Sequence, residues 1–446
     1  NQGGLGLSEF TGDWAVGSGD DLTYANQTIS LNGNLSVADG GKLVLKNVTL
    51  VFHSGEFDPQ EVAVYDGSLS IIDGSEVKAM DPEFNYYFQV FEDATFKLTD
   101  SKVRDCGRLF NLLGIQAGVY VATEDTEIAN SEISLGYGGL FIDGVDITVE
   151  GCTIKDNSWI GVYVDHRAAP ILDGCNIEDN LREGLMIKDQ SDVTLVECSV
   201  RGNLRGAVVD GAYLEAHDTA ISANEQVDID LPYFSQVELF NCTITTSGST
   251  NPIRMENSSL TSTHGNFDVD KIDMTASLFR YQQFLSVKVT WADSLQTPIA
   301  DVPIMVEDAE SNKFFFNTDS NGMAGFLPML VVEYDMTTPI LKTTSFNPFH
   351  VTVTYNLLDK DTYADMRYDN YVATFQYTDV IAPVAQAPIL SEVDVGINTT
   401  LDGGACYDNV AIASWNWSFD EFSQPVYLEG EIVDYPFKEA KVCLLY

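Results

Sequence analysis

The sequence predicts an all-β protein in which a parallel β-helix of about nine coils is followed by two β-sandwich domains. Three observations predict this class. One short phrase recurs at a step of 23 residues, each period holds three short runs of alternating apolar and polar residues, and the period is lost near Phe284.

The repeat is clearest where the chain reads GCTIKDN from Gly151, GCNIEDN from Gly174 and ECSVRGN from Glu197. Weaker copies extend it in both directions, from Val48 to Ile244, with steps of 21 to 30 residues. The alternating runs in each period are too short for helices, and Gly, Asn and Asp between them favour turns. Three strands per coil, stacked coil upon coil, predict three parallel sheets around one core.

Two columns of like residues support this stacking. Asn157, Asn180, Asn203 and Asn224 follow the start of the phrase at the same distance, so we expect an internal asparagine ladder in which side-chain amides donate and accept along the stack. A second column contains Cys152, Cys175, Cys198 and Cys242, each two residues before an apolar position. Alternation along the strand therefore points these thiols inward.

With these features the chain resembles the pectate-lyase-like superfamily of right-handed parallel β-helices, and in particular the short repeats of NosD-like surface proteins. The resemblance implies a right-handed β-helix over residues 41–270. We expect residues 1–40, with Trp14 and Leu31, to cap the open end of the solenoid so that no sheet edge is bare.

Residues 283–380 contain several short β runs, the turn Thr318–Gly322 and the segment Pro298–Pro303. They resemble an immunoglobulin-like domain of the carboxypeptidase-regulatory or CNA-B type, which implies a spacer or adhesion module.

Residues 381–446 resemble a PKD domain through Val395–Gly403, Asp408-Asn409 and Ile412–Asp420. The chain stops at Tyr446, where such a domain would still need its last strand, so we expect either a longer polypeptide or a strand supplied by a partner. The resemblance places the strands of Cys406 and Cys443 opposite each other, which implies a disulfide between them in an oxidising medium.

The charge of the chain limits the classes of partner that it can bind. The chain has 23 Lys and Arg against 67 Asp and Glu, a net charge of -44, so nucleic acids and anionic bilayers would be repelled. No apolar run is long enough to span a bilayer. We expect an exported, extracellular or cell-surface protein with N-glycosylation sequons at Asn26, Asn34, Asn47, Asn241, Asn257, Asn398 and Asn416.

Two groups of residues are candidates for chemistry. The segment Asp165-His166-Arg167, with Asp189, Arg182 and Arg205 on neighbouring coils, comes nearest to an acid and base pair. A turn in an acidic surface has the same composition. Asp143, Asp165, Asp210 and Asp230 end the second strand of four coils, where a row of oxygens would suit Ca²⁺. The alternative is a solvated strand end, which Lys188 between two of them favours. No other cofactor is expected.

No complete catalytic set is found, so we expect a non-catalytic structural protein, such as a surface-layer, filament or adhesin subunit that self-associates and carries glycans. The alternative is a polysaccharide lyase or glycoside hydrolase acting on extracellular glycans. An exposed groove lined by aromatic and basic residues along one sheet would favour the enzyme.

Overall fold

The computed structural model describes residues 6–108, 117–245, 251–268, 271–293, 295–367, 369–378, 384–386, 395–406, 415–422 and 424–438. The chain forms two compact units. The first comprises Asn1–Phe284 and Pro328–Phe346, and the second comprises Leu285–Leu327 and Asn347–Tyr446. In the described part of the chain, no helix has the length and apolar character that crossing a bilayer requires.

The strands up to residue 291 are β1 (Gly6–Thr11), β2 (Trp14–Val16), β3 (Asp21–Asn32), β4 (Leu35–Val37), β5 (Lys42–Phe52), β6 (Glu61–Val64), β7 (Ser68–Ile72), β8 (Glu76–Ala79), β9 (Tyr87–Val90), β10 (Thr95–Thr99), β11 (Lys102–Arg104), β12 (Val119–Val121), β13 (Thr126–Ala129), β14 (Glu132–Ser134), β15 (Leu140–Asp143), β16 (Thr148–Glu150), β17 (Thr153–Lys155), β18 (Val162–Asp165), β19 (Ile171–Asp173), β20 (Asn176–Glu178), β21 (Glu183–Lys188), β22 (Asp192–Val196), β23 (Ser199–Arg201), β24 (Arg205–Asp210), β25 (Tyr213–His217), β26 (Ala220–Ser222), β27 (Val227–Leu231), β28 (Gln236–Phe240), β29 (Thr243–Thr245), β30 (Ile253–Glu256), β31 (Ser259–Thr263), β32 (Ile272–Thr275) and β33 (Leu278–Trp291).

The later strands are β34 (Pro303–Glu307), β35 (Lys313–Asn317), β36 (Met323–Asp335), β37 (Lys342–Ser345), β38 (Phe349–Tyr355), β39 (Leu358–Ala364), β40 (Tyr371–Tyr377), β41 (Asn398–Asp402), β42 (Asn416–Glu421), β43 (Gln424–Glu429) and β44 (Ile432–Pro436).

The first unit is a parallel β-solenoid in which each strand pairs with the equivalent strand of the next coil. One ladder runs through β7, β10, β13, β16 and onward, a second through β8, β11, β14, β17 and onward. The third ladder is a 12-stranded sheet from β2 to β32, which we call the third sheet. Coils of three strands are therefore stacked in parallel around one core, as the repeat predicts.

The solenoid has about eleven turns, more than the nine expected. The difference lies at the N-terminus, where Trp14 pairs with Leu35, and Leu35 with Val62, in the third sheet. The residues expected as a cap therefore contribute strands to the same ladders. The turn count was underestimated because these first coils carry no copy of the Cys and Asn phrase that made the later ones visible.

Many corners of the solenoid turn at a residue with positive φ. Asp156, Asp179 and Gly202 occupy one corner at φ of 55°, 56° and 69°. Asp and Gly tolerate this left-handed backbone, the latter because it has no Cβ. The sequence places each of them directly before a ladder asparagine, so the corner turns the amide inward.

Asn157, Asn180, Asn203 and Asn224 lie in one buried column. Each of the first three donates from Nδ2 to Oδ1 of the next, at 2.9, 3.0 and 3.1 Å. The ladder ends at Asp228, whose Oδ1 accepts from the backbone N and Nδ2 of Asn224 at 3.2 and 2.9 Å. Because the amides satisfy one another and the neighbouring backbone, the polar column is compatible with burial.

The thiols share a column with hydroxyl groups. Serines occupy it in the earlier coils, where Ser75 N donates to Ser101 Oγ and Ser101 N to Ser131 Oγ, both at 3.2 Å. Ser131 N then donates to Cys152 Sγ at 3.4 Å. The cysteines at this corner therefore replace serines as small acceptors for the backbone N–H of the preceding coil, and they are buried.

The second unit contains small sheets. β34 pairs antiparallel with β35 and β38, and β38 with β39. The segment Leu285–Trp291 of β33 pairs in parallel with β40. Farther along, β41 pairs with β44 and β42 with β43, both antiparallel, around the apolar residues Leu401, Trp417, Phe419 and Phe437.

Part of the C-terminal sequence pattern lies outside the described residues. This applies to Asp408, Asn409, the stretch 412–414 and Cys443. Cys406 is described and half-buried, and its Sγ accepts a hydrogen bond from Gln386 N at 3.3 Å.

Candidate functional site

The outer surface of the third sheet carries a column of side chains that each follow a buried Val or Ile. Val64, Val90, Val121 and Ile142 are aligned across β6, β9, β12 and β15. The residue that follows each of them points outward because alternation reverses the side-chain direction. These outward residues are Tyr65, Phe91, Ala122 and Asp143, and the column continues to Asp165.

A groove with a volume of about 960 Å³ runs beside this column. The groove is lined by Ala38, Asp39, Tyr65, Asp66, Phe91, Glu92, Asp93, Tyr120, Ala122, Asp143, Gly144, Val145 and His166. These residues span six coils, hence five steps of ~4.8 Å, or roughly 24 Å along the solenoid axis. The groove is therefore elongated in the direction in which the coils stack.

Two aromatic rings form the apolar part of the groove. Tyr65 and Phe91 are stacked with ring centroids 5.1 Å apart and an interplanar angle of 2°. The neighbouring positions of the column are Ala38 and Ala122, whose methyl groups leave space beside the ring pair. Tyr65 is 45% exposed, so an apolar face is offered to solvent there.

The aromatic surface continues beyond the groove. Tyr120 and Phe141 are buried outward residues of β12 and β15, and Phe91, Tyr137, Trp159 and Tyr163 pack against them. Phe141 and Tyr163 stack at 5.2 Å. The packed rings hold Tyr120 in place, so its hydroxyl has a defined position at the groove.

Asp143 joins a phenol and an imidazole. Its Oδ2 accepts a short hydrogen bond from the Tyr120 hydroxyl, and its Oδ1 contacts Nδ1 of His166. The contact with Asp143 raises the pKa of His166, because the carboxylate stabilises the imidazolium. Burial and then the bond to Asp143 raise the pKa of Tyr120 well above its ordinary value, so the phenol keeps its proton. The His166 side chain is 63% exposed, which leaves Nε2 available to a ligand.

His166 is held at a corner of the coil. It and Arg167 have φ of 55° and 62°, and Asp189 and Gln190 have 51° and 63° one coil later. Asp165 accepts hydrogen bonds from His166 N and the Tyr163 hydroxyl, both at 2.9 Å. The structure thus brings together Asp165, His166 and Asp189, the three candidate acid and base residues.

The same three residues are the group that could hold a cation. One ligand atom from each of Asp165, His166 and Asp189 lies within 4.8 Å of the others. His166 would contribute Nε2 there, since Nδ1 already contacts Asp143. Two carboxylates and one imidazole form a partial ligand set, and all three side chains lie at the surface, where exposed acids often occur without a metal.

The predicted row of four aspartates is wrong in one member. Asp143 pairs with Asp165, and Lys188 with Asp210, so these four positions form one row. Asp230 is aligned with Val208 instead, two positions earlier on its strand. The error arose because Asp230 lies inside β27 and is followed by Leu231, whereas Asp143, Asp165 and Asp210 are the last residues of their strands.

Asp230 and the arginines on this face form a structural network. Asp230 is buried and accepts from Arg205 at 3.0 Å and from Arg254 Nε at 2.8 Å. Arg205 also contacts the buried carboxylate of Glu183. These charges compensate one another, so neither Asp230 nor Arg205 belongs to the groove. Arg182 is exposed, and its backbone N donates to Trp159 O at 3.1 Å.

The seven sequon asparagines are described. Asn34 is half-buried and its Oδ1 accepts from Glu61 N at 3.0 Å. The other six are exposed: Asn26, Asn47, Asn241, Asn257, Asn398 and Asn416. Asn26 and Asn47 stack on adjacent coils, with Asn47 Nδ2 donating to Asn26 Oδ1 at 2.9 Å.

Sequence reasoning missed Tyr65, Phe91 and Tyr120. The first two have a local signal, because AVYD at Ala63 and QVFED at Gln89 each place an aromatic and then an acidic residue directly after a buried valine. Tyr120 has none, since its hydroxyl meets Asp143 only through the pairing of β12 with β15.

A family model described as "Right handed beta helix region" matches residues 86–271. No curated protein matches the chain by sequence.

Among solved structures, the periplasmic alginate epimerase AlgG is 12% identical over 60% of this chain and 73% of that chain, with a TM-score of 0.38. The A-module of the Azotobacter vinelandii mannuronan C-5 epimerase AlgE6 is 15% identical over 62% of this chain and 91% of its own, with a TM-score of 0.35. Pectate lyase Pel9A is 10% identical over 61% and 80%, with a TM-score of 0.29. The repeat region of this chain is a right-handed β-helix, as predicted.

Proposed function

We propose that this is an extracellular, cell-surface protein whose solenoid binds a glycan chain in the groove of the third sheet. The observation that carries the proposal is the stacked pair of Tyr65 and Phe91 in a groove that ends at Asp143 and His166. Rings of this kind offer apolar area to the faces of sugar rings, and carboxylates accept hydrogen bonds from sugar hydroxyls.

The shape of the groove supports a polymeric ligand. It is open and follows the stacking direction for roughly 24 Å, which accommodates several sugar units lying end to end. A small metabolite would instead need an enclosed pocket that removes most of its surface from water.

Charge and sequons support the extracellular placement. A net charge of -44 disfavours partners made of nucleic acid, and six sequon asparagines present exposed side chains. Four of them, Asn26, Asn47, Asn241 and Asn257, have positive φ at corners of the solenoid and do not line the groove, so glycans there would leave the groove uncovered.

We further propose that residues 283–380 are an immunoglobulin-like spacer and residues 381–446 a PKD-like module. The antiparallel pairing of β34 with β35 and β38, and the apolar cluster around Trp417 and Phe419, are consistent with sandwich modules. In this proposal the modules display the solenoid at the surface and join copies into a surface-layer, filament or adhesin assembly.

A second candidate function is catalysis on the bound glycan. The specific observation is the hydrogen-bonded series Tyr120, Asp143 and His166, which combines a protonated phenol with an imidazole and carboxylate pair. Such a set can donate and accept protons beside a glycosidic bond, which is the chemistry expected of the polysaccharide-cleaving alternative.

Binding tests the first proposal. The purified chain, the variant Tyr65→Ala/Phe91→Ala and the control Phe240→Ala are titrated with a panel of soluble glycans by calorimetry. Phe240 stacks on His217 in a different ladder, so its removal deletes an aromatic ring without touching the groove. We expect at least one glycan to bind the parent and the control, and to bind the double variant about tenfold or more weakly. Equal affinity of all three proteins, or no binding to any glycan, contradicts the proposal.

Product analysis tests the second candidate. The chain is incubated with acidic and neutral polysaccharides in the presence of Ca²⁺, and unsaturated or reducing ends are measured. Turnover that His166→Ala and Asp143→Asn abolish, while Asp210→Asn retains it, supports catalysis. Binding without release of new ends supports the non-catalytic function.

A further inference from the structure

We propose that the groove selects glycans that carry no carboxylates, and that it prefers amino-sugar chains to their uncharged counterparts. This inference rests on the proposed function and names the chemical class of its ligand. Its basis is the distribution of charge on the third sheet, which differs between the groove and the rest of that face.

The groove concentrates negative charge. Of the described residues that line it, Asp39, Asp66, Glu92, Asp93 and Asp143 carry carboxylates, and His166 is the single basic side chain. His166 contacts one of these carboxylates, that of Asp143, through Nδ1. Four acidic groups therefore border the stacked rings, and three of them follow those rings directly in sequence as Tyr65-Asp66 and Phe91-Glu92-Asp93.

The later coils of the same sheet are different. There Lys188 lies 3.6 Å from Asp210, Arg205 bridges Glu183 and Asp230, and Arg254 contacts Asp230. Three acidic groups on those coils, Glu183, Asp210 and Asp230, are therefore paired with cations on adjacent coils. The charge of the groove is thus a local property and not a general consequence of the acidic composition.

A uronic acid chain carries one carboxylate on every sugar. Placed in the groove, those groups would lie among like charges within a Debye length, and no lysine or arginine is among the described lining residues to pair with them. Carboxylates accept hydrogen bonds and cannot donate them, so acids of ligand and protein have no favourable contact without a bridging cation.

Hydroxyl and ammonium groups fit the same surface. Both donate hydrogen bonds to carboxylates, and the ammonium also gains Coulombic attraction and a cation–π contact with Tyr65 or Phe91. The combination of a ring pair with flanking acids is therefore suited to an amino sugar, while a neutral sugar gains the stacking and the hydroxyl contacts alone.

The test compares oligosaccharides of equal length in the presence of EDTA. Hexamers of glucosamine, N-acetylglucosamine, glucose and galacturonic acid are titrated into the full chain at low and at high salt. We expect glucosamine to bind about tenfold more tightly than the neutral hexamers at low salt, the advantage to shrink at high salt, and galacturonic acid to bind most weakly.

A charge variant separates this inference from general attraction to an acidic protein. Asp66→Asn/Glu92→Gln should remove most of the preference for glucosamine and leave neutral binding within about twofold, whereas the control Asp210→Asn on the same sheet should keep the preference. The same loss in both variants would show that the whole surface attracts the cation and would overturn the inference.

Two further outcomes distinguish failure of this inference from failure of the proposed glycan-binding function. Galacturonic acid binding as tightly as the neutral hexamers with EDTA present overturns the ligand class and leaves the glycan-binding function standing. Absence of binding to every hexamer overturns both.

Discussion

Nδ2 of Asn180 donates a hydrogen bond of 3.0 Å to Oδ1 of Asn203 on the following coil. Asn203 Oδ1 also accepts from the backbone N of Asn180 at 3.0 Å, so a single oxygen satisfies two donors of the coil before it. Glycines face this column from the third sheet, and a Cβ on Gly184 would lie 2.6 Å from Nδ2 of Asn203. The ladder and the glycine column therefore depend on each other.

Asn180→Ala should destabilise the solenoid by roughly 1–3 kcal/mol, because it leaves the backbone N and Nδ2 of Asn157 without their buried acceptor. Urea unfolding of the purified chain measures the change. Asn176→Ala is the matched control: that residue lies on the same coil but is exposed, and its removal should cost less than about 0.5 kcal/mol. Equal midpoints for the two variants would contradict a buried ladder.

Asp228→Asn should stabilise the chain at neutral pH by roughly 1–2 kcal/mol. Asp228 is buried, its Oδ2 has no hydrogen-bond partner among the described residues, and burial raises its pKa. The folded state therefore binds the proton more tightly than the unfolded state, and this carboxyl destabilises the fold as pH rises through its raised pKa. Lowering the pH below that value protonates the parent, so the advantage of the variant should shrink.

Thermal melts of parent and Asp228→Asn over a series of pH values measure this difference. Asp179→Asn, an exposed carboxylate at the corner before the ladder residue Asn180, controls for the loss of a surface charge. A difference between Asp228→Asn and the parent that stays constant from neutral to acidic pH would show that the carboxyl is not responsible.

Thiol labelling of the native chain should be slow at Cys106, Cys152, Cys175, Cys198 and Cys242, and fast after denaturation. Their burial blocks the reagent, and it raises the pKa of Cys106 to about 12 and that of Cys242 to about 11, which removes the reactive thiolate. Cys406 is half-buried and should label faster than the other five if it is reduced. Mass spectrometry of the labelled peptides distinguishes them, and rapid native labelling of the solenoid cysteines would refute their inward placement.

The His166 pKa should fall in Asp143→Asn, because Asp143 makes the largest contribution to raising it. NMR titration of the imidazole signals follows the change. Asp189→Asn removes a carboxylate that acts on His166 through charge alone, so its effect should be smaller. A larger effect from Asp189 than from Asp143 would contradict the Asp143 contact.

A disulfide between Cys406 and Cys443 is expected from the PKD resemblance. It would close a loop of 37 residues (443 minus 406) and stabilise the module by roughly 3–4 kcal/mol. A non-reducing peptide map of secreted material should show the two peptides joined. Recovery of both as free thiols would remove the bond.

The solenoid could be predicted from the sequence because its stacking follows from the regular spacing of a repeated phrase. The copies at Gly151, Gly174 and Glu197 repeat every 23 residues, which fixes the parallel stack, the asparagine column and the inward cysteines without any knowledge of distant contacts. Where the phrase is absent, as around Trp14 and Leu35, the coils were not recognised, although they pair in the same way.

The groove could not be predicted from the sequence, because the contacts among its side chains depend on tertiary structure. Tyr120 and Asp143 are 23 residues apart, and Asp143 and His166 are also 23 apart, yet the contacts among their side chains follow from the register of β12, β15 and β18 and from the corner at His166. Asp230 was placed in the aspartate row by its sequence position, but it is aligned with Val208, two positions before Asp210, and is buried against arginines. Sequence by itself determined the period and hence the architecture, since a repeated turn imposes the same stacking on every coil. Which outward side chains meet was decided by strand register, because coils of unequal length, between 21 and 30 residues, shift the surface rows in ways that the repeat spacing does not record.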